Sequence, residues 1–389
     1  MTAGLYFKDP LYVTQPLLPD LGETYKMLET IWKSKQLTNN GQMVKQLEKE
    51  LADYLGVKYL SVLCNGTVAL QIACKALNLT GEVITTPFTF SATTHSLAWN
   101  NLKPVFCDIE EDTFNINTDL IESLITPETS AILPVHVFGI PCNVERIQQI
   151  ADKHGLKVLY DAAHAFGVKL QGKPIGTFGD ISMFSFHATK VYHTVEGGGL
   201  ACNQGYLKER IDSLRNFGQK DDTFPEPGTN AKLNEVQAGI GLLVLKRVEE
   251  EISKRKKLTN IYRQLLVDIP GITFSKDIAG VTHNYSYFAI RVNPDEYGLD
   301  RDQLFLKLQE YNIICRKYFY PLCSNFKCYS SLPSASKSNL PVANRVANSV
   351  LILPLHGRLQ DVDVIKICEI IRKIHREHNL RKLIGERTE

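Results

Sequence analysis

From about Leu60 to Asn203 the chain alternates short apolar runs with stretches of helical periodicity. Apolar runs occur at Glu82–Thr85, Pro104–Asp108, Ala131–His136 and Gly155–Tyr160, and another opens at Ile181; each is bounded by Gly, Pro or Asp. Between them, residues 143–154 keep Val144, Ile147, Ile150 and Ala151 on one helical face. Strands that are apolar throughout, separated by helices, predict an α/β sheet that is largely parallel and covered on both faces. After Gly228 the pattern changes. One long helix is expected from about Asn234 to Val267, passing from an Ala/Gly/Leu-rich half into the charged run Lys246–Lys257, read as a solvated face. A strand at Tyr287–Val292, a helix from Asp302, a Ser-rich loop at Ser330–Ser338 and a C-terminal helix after Asp361 with a basic tail follow. The expectation is a large α/β domain over residues 1–250 and a smaller α+β domain over 251–389, with no internal repeat or low-complexity linker.

Composition narrows the class without choosing a chemistry. At 389 residues and 43.8 kDa, two domains are the default. Hydrophobic content of 44% and charged content of 22% are ordinary for a soluble globular protein. A formal net charge of +2 gives no electrostatic case for nucleic acid or a membrane surface. The first ten residues lack the basic start and apolar stretch of a signal peptide, and no window reaches the length of a membrane span. The nine cysteines form no CxxC pair, which argues against zinc and against a disulfide framework. Buried free thiols in a reducing cytoplasm are expected.

The chemistry is carried by two strand ends. Lys190 follows the run that opens at Ile181 and precedes a Gly-rich turn, Glu196–Gly199; Asp161 ends the run Gly155–Tyr160. The amine can form a Schiff base with an aldehyde cofactor, and the carboxylate can keep a pyridine nitrogen protonated so that the ring draws electrons. Together they point to pyridoxal phosphate. An Asp at a strand end is commonly a cap or turn residue, so the case rests on convergence with other features. Cys64–Cys74 reads as a loop feeding a helix, where Gly66 allows close backbone approach and Thr67 sits among free N–H groups, an anion site by geometry and dipole. It lacks the P-loop lysine, which disfavours a nucleoside triphosphate. A cofactor phosphate fits better, with Ser185 as a further donor. Phe90 offers a stacking face for a flat ring, and His164, three residues past Asp161, can contact the ring or its phenolic oxygen.

These residues resemble the sugar aminotransferase family called DegT/DnrJ/EryC1/StrS, of the aspartate aminotransferase fold (PLP fold type I). The resemblance covers nearly the whole chain through Leu37–Gly41, Asn65–Thr67, Phe88–Phe90, Pro134–Gly139, Asp161–His164, Ser185–Lys190 and Glu196–Gly198. It implies that Lys190 bonds the cofactor aldehyde, that Asp161 pairs with the pyridine nitrogen and that Phe90 stacks on the ring. It also implies phosphate contacts from Gly66, Thr67 and Ser185. His164 stands near the phenolic oxygen, where relatives often carry Gln. Asn230 matches a residue that reaches the phosphate from the neighbouring subunit, implying a homodimer with shared active sites. The segments Gln15–Asp20, Leu37–Gly41 and Phe186–Lys190 are most similar to viosamine-type members. Those use L-glutamate to aminate dTDP-4-keto-6-deoxyglucose at C4, giving dTDP-4-amino-4,6-dideoxyglucose for bacterial surface glycans such as O-antigen. His187, Tyr318 and Tyr320 are candidates for lining the sugar pocket. Three alternatives stay open: a sibling acting at C3 or on a GDP- or UDP-linked keto-sugar, a deoxygenating relative, and a cofactor-binding regulator without turnover. The deoxygenating relatives carry His at the lysine position, against Lys190 here.

Overall fold

The computed structural model describes residues 6–385. The first five residues of the N-terminal stretch and the last four of the basic tail lie outside it. Seven strands form the central sheet: β1 (Tyr59–Leu63), β2 (Glu82–Thr85), β3 (Lys103–Phe106), β4 (Thr129–Leu133), β5 (Lys157–Asp161), β6 (Ile181–Ser185) and β7 (Gly198–Cys202). Their order is β1-β7-β6-β5-β4-β2-β3. β7 runs antiparallel to both β1 and β6, and the other pairings are parallel. The sheet is thus α/β and mostly parallel. Its strands are buried on both faces, which is why they read as unbroken apolar runs.

Helices cover the sheet for reasons visible locally. Helix Val144–His154 buries Val144, Ile147, Ile150 and Ala151. It is started by the Asn143 side chain, which accepts from the Arg146 N–H, and stopped by Gly155 at φ 67°. The stretch expected as one helix over 234–267 is two, Glu235–Leu245 and Val248–Leu266. Arg247 leaves helical geometry at φ −115°. The apolar half belongs to the core beside the central sheet, whereas the charged half buries Leu258, Tyr262 and Leu266 in a second core. A single straight rod cannot serve both. The second core is built on strands β8 (Ile272–Phe274), β9 (Phe288–Val292) and β10 (Val350–Leu353), ordered β8-β9-β10 and antiparallel. Helix Arg301–Gln309 opens with a capping box between Asp300 and Gln303. The two-residue strand Leu11–Tyr12 pairs with Ile313–Ile314, so the N-terminal residues also sit with this core. We propose that the two cores correspond to two domains dividing near residue 250, with the N-terminal strand lent to the second.

A buried ion pair bolts the linking helix in place. Glu251 is 5% exposed and Arg255 1%. Arg255 Nε donates to Glu251 Oε1 at 2.6 Å and Arg255 Nη1 to the Ser286 carbonyl at 3.1 Å, while the Gly357 N–H donates to Glu251 Oε1 at 2.8 Å. Glu251→Ala leaves a buried guanidinium without its counter-charge and should lower unfolding free energy by about 3–5 kcal/mol in chemical denaturation. A loss near zero would mean that water reaches Arg255.

All nine cysteines are free; seven are buried, Cys64 is half-buried and Cys328 is exposed. Among the described residues no helix is long and apolar enough to cross a membrane, and no cluster of three His, Cys, Asp or Glu could hold a metal.

Candidate active site

The parallel strands of the central sheet end at one edge, where a cleft is expected in an open α/β sheet. β1 runs into Asn65, whose side chain accepts from the Val68 N–H at 2.9 Å and starts helix Gly66–Ala76. β2 leads to Phe90, the residue before helix Ser91–Trp99. β5 delivers Asp161, and β6 delivers Ser185 and the turn to Lys190. Because β7 is antiparallel, its first residues return to the same edge. A Cβ on Gly198 would fall 2.7 Å from the Asn65 carbonyl, so the Gly-rich turn is required by close approach of two backbones.

These ends enclose a cavity of about 370 Å³. It brings together Gly66, Thr67, Phe90, Asp161, His164, Ser185, His187, Lys190 and Tyr318. Tyr320 and Asn230 do not line it. The Tyr320 ring packs on the Arg301 guanidinium at 4.9 Å, and Phe319 takes the place in the wall. Asn230 is exposed and bridges to Asn216 at the base of a surface loop.

Asp161 sits at the cavity floor, 4% exposed. Its Oδ2 accepts from the Thr93 hydroxyl at 2.7 Å and its Oδ1 from the Ala163 N–H at 3.0 Å. Burial pushes the carboxyl above its ordinary pKa, opposed by these two bonds and by the positive charge of Lys190. Burial likewise pulls the Lys190 amine down, opposed by the charges of Asp161 and Tyr318. An amine shifted this way is more often neutral, the form a nucleophile and proton acceptor needs. Lys190 Nζ lies 5.9 Å from the centre of the Tyr287 ring.

His164 is held in one state. Burial and nearby Lys190 drive its pKa well down, so the ring is neutral. Its Nδ1 accepts from the Phe138 N–H at 3.2 Å, which puts the proton on Nε2. The ring stacks on Phe138 and Phe319 at centroid distances of 6.0 and 5.9 Å. His187 bonds Thr189 through Nδ1 and lies 3.4 Å from Glu196 through Nε2.

The residues fit pyridoxal phosphate on their own evidence. At the start of helix Gly66–Ala76, the Gly66 and Thr67 N–H groups have no intrahelical acceptor. A Cβ on Gly66 would lie 3.3 Å from Ser185 Cβ, so the bare backbone is what leaves room beside the Ser185 hydroxyl for a phosphate. A buried carboxylate, a half-buried amine and the exposed ring of Phe90, 60% accessible, complete the donor set for a flat cationic ring.

Four lining or supporting residues were not found from sequence. Thr93 orients Asp161 from one turn inside helix Ser91–Trp99; a hydroxyl one turn after Phe90 was its only signal. Tyr287, Phe319 and Arg316 come from a part of the chain more than 90 residues after Lys190, and no local pattern marks them.

The fold and the paired amine and carboxylate define a PLP-dependent aminotransferase. The chain belongs to the DegT/DnrJ/EryC1/StrS aminotransferase family, which matches residues 20–372. It is 48% identical over 361 residues to the dTDP-4-amino-4,6-dideoxy-D-glucose transaminase of Escherichia coli, covering 92% of this chain and 97% of that protein. The Shigella dysenteriae protein of the same name is 47% identical over 366 residues, covering 94% and 99%. Among solved structures, DesI in the presence of its TDP-sugar product superposes with a TM-score of 0.92 at 35% identity, covering 98% of this chain and 97% of that one.

Proposed function

We propose that the enzyme transfers the amino group of L-glutamate to C4 of dTDP-4-keto-6-deoxyglucose, giving dTDP-4-amino-4,6-dideoxyglucose. The observation that carries this reading is the pairing of Lys190 with Asp161 in one cavity, in a chain whose relatives at 47–48% identity bear that product's name. Pyridoxal phosphate, when bound, supplies an aldehyde for the amine and a ring that withdraws electrons from the neighbouring carbon. Gly66, Thr67 and Ser185 would hold its phosphate, and Phe90 would cover the ring. Asp161 would keep a proton on the ring nitrogen through a charge-assisted bond, its carboxylate oriented in advance by Thr93 and Ala163. His164, with its proton on Nε2, would be the donor for the phenolic oxygen. Lys190 would bond the aldehyde, release it to the donor, and hold the proton taken from the donor Cα, acting as base and then acid. For the sugar it would return the proton in the opposite sense, with His187 and Tyr318 available on the cavity wall to line the hexose.

The test is a coupled assay with dTDP-, UDP- and GDP-linked 4-keto-6-deoxy sugars, with NMR of the product. Preference for UDP or GDP, or an amine at C3, would overturn the substrate assignment. The enzyme works in the cytoplasm and its product feeds surface-glycan synthesis such as O-antigen. Activity in a membrane or periplasmic fraction would contradict that placement.

We further propose a homodimer in which Asn230 serves the partner's site. Its exposure and its absence from the lining of the chain's own cavity support this, as do the exposed rings of Phe217 and Phe224 on the same loop. Asn230→Ala should weaken cofactor binding by about 1.5–3 kcal/mol, the range for a hydrogen bond to a charged group. In a heterodimer of Lys190→Ala and Asn230→Ala subunits, the site that keeps Lys190 receives an intact Asn230, so its affinity should recover. Affinity that instead follows the Asn230 of the same chain, or an active monomer in sedimentation, would end the shared-site reading.

A further inference from the structure

The segment that brings Phe90 to the cavity also carries Thr89, which has no part in the roles above. Thr89 is buried, lines the cavity and stands two residues before helix Ser91–Trp99. Its hydroxyl lies 2.7 Å from the Thr93 hydroxyl, and Thr93, itself fully buried, donates to Asp161 Oδ2 at 2.7 Å. The backbone here is held from a distant part of the chain. The Cys323 N–H donates to the Pro87 carbonyl at 3.0 Å and Cys323 Sγ to the Thr89 carbonyl at 3.3 Å. These bonds fix where the Thr89 hydroxyl meets the first turn of the helix.

The direction of the chain follows from counting protons. An ionised carboxylate only accepts, and each threonine hydroxyl has one proton to give. Thr93 spends its proton on Asp161. The contact between the two threonines is then a hydrogen bond only if Thr89 donates and the Thr93 oxygen accepts. Both bonds have the usual O–H···O length, and all three side chains are buried. A hydroxyl that receives a bond gives a stronger one, and low dielectric enlarges the effect. Thr89 therefore strengthens the bond that Thr93 makes to Asp161, and does so most when the carboxylate carries its charge.

Two buried threonines can also pair only to satisfy each other. The destination of this chain argues for more. Nearby hydroxyls end on backbone: Thr85 donates to the Leu133 carbonyl and Ser96 to the Ala92 carbonyl. The chain from Thr89 ends instead on the carboxylate of the cavity floor.

We infer that Thr89 is a positioning residue: acting through Thr93, its hydroxyl holds Asp161 in the ionised, oriented form that faces the cofactor ring. This rests on the reading of Asp161 given above. The test begins on the cofactor-free full chain, with the Asp161 carboxyl followed by carbon NMR and identified by its loss in Asp161→Asn. Thr89→Val keeps the shape without the hydroxyl and should raise the titration midpoint by about half a pH unit, the low end of what one neutral hydrogen bond is worth. Thr89→Ser keeps the donor and should titrate as the wild type does. In a Thr93→Val background, Thr89→Val should move the midpoint no further, because the hydroxyl it acts through is gone. In the loaded enzyme, Thr89→Val should lower kcat about threefold, the same free energy, with both KM values unmoved. If Thr89→Val does not fold, Thr89→Ala takes its place in each comparison. An unmoved midpoint, a shift that Thr89→Ser shares, or an equal shift without the Thr93 hydroxyl would each overturn the inference. An Asp161→Asn enzyme that turns over at the wild-type rate would instead overturn the reading of Asp161 beneath it.

Discussion

Lys190→Ala is expected to abolish transamination while leaving the fold intact. The side chain is half-buried at the cavity wall, makes no ion pair among the described residues, and contributes an amine whose burial is unfavourable when charged. Its removal therefore takes away little that holds the protein together. It takes away two proposed functions at once: the nitrogen for the aldehyde carbon and, among the described residues, the one lysine amine lining the cavity that could carry a proton between donor and cofactor. General acid–base transfer alone is worth about 10²–10⁴-fold, so turnover should fall by at least that factor. A second readout does not depend on turnover. Borohydride reduction of the loaded wild type should fix the cofactor mass on the peptide containing Lys190, and the variant should carry no such adduct while still binding the cofactor through Gly66, Thr67, Ser185 and Asp161. Turnover near the wild-type rate, or an adduct on a different lysine, would remove Lys190 from the chemistry.

Lys190 and Asp161 were legible in the sequence because Asp161 closes, and Lys190 shortly follows, a strand that is buried on both faces. Such a strand can end only at a sheet edge, and the edge is where polar chemistry becomes affordable. The α/β alternation and the helix at 144–154 were legible for the same reason, a burial pattern repeated over many residues. What was not legible lacked such a pattern. The break at Arg247 leaves both flanking helices fully periodic; it arises because the two halves join different cores. The antiparallel direction of β7 is set by its partners β1 and β6, not by its composition. Arg316 and Phe319 enter the cavity from a segment with no periodicity, and nothing local separates Phe319 from its neighbour Tyr320. The structure turns that neighbouring pair apart, with Phe319 stacked on His164 and Tyr320 outside on Arg301.

Asp161→Asn separates catalysis from stability, because the two should move in opposite directions. The substitution keeps the shape and the acceptor for the Ala163 N–H, and the Thr93 hydroxyl can turn to accept from the new amide. The lost charge is the one that keeps the ring nitrogen protonated. Removing a preorganised electrostatic partner of this kind costs about 10²–10³-fold in kcat, with the cofactor still bound. For the cofactor-free protein the sign reverses. Burial raises the folded-state pKa of Asp161 above its ordinary value of 3.8. Between those two values the folded state holds a proton that the unfolded state has released, so wild-type stability falls as pH rises through the folded value. At neutral pH the cofactor-free variant should therefore melt higher than the wild type, and the gap should close below pH 3.8, where the carboxyl is protonated in both states. Adding pyridoxal phosphate should invert the neutral-pH order, because binding that meets a cation with the buried carboxylate stabilises only the wild type in that way. A rate loss below about tenfold, or roughly 1.4 kcal/mol, would make Asp161 a structural cap. A wild-type protein more stable than the variant at neutral pH without cofactor would mean that Thr93 and Ala163 already satisfy the charge, and that the site is not held in tension for a cationic ring.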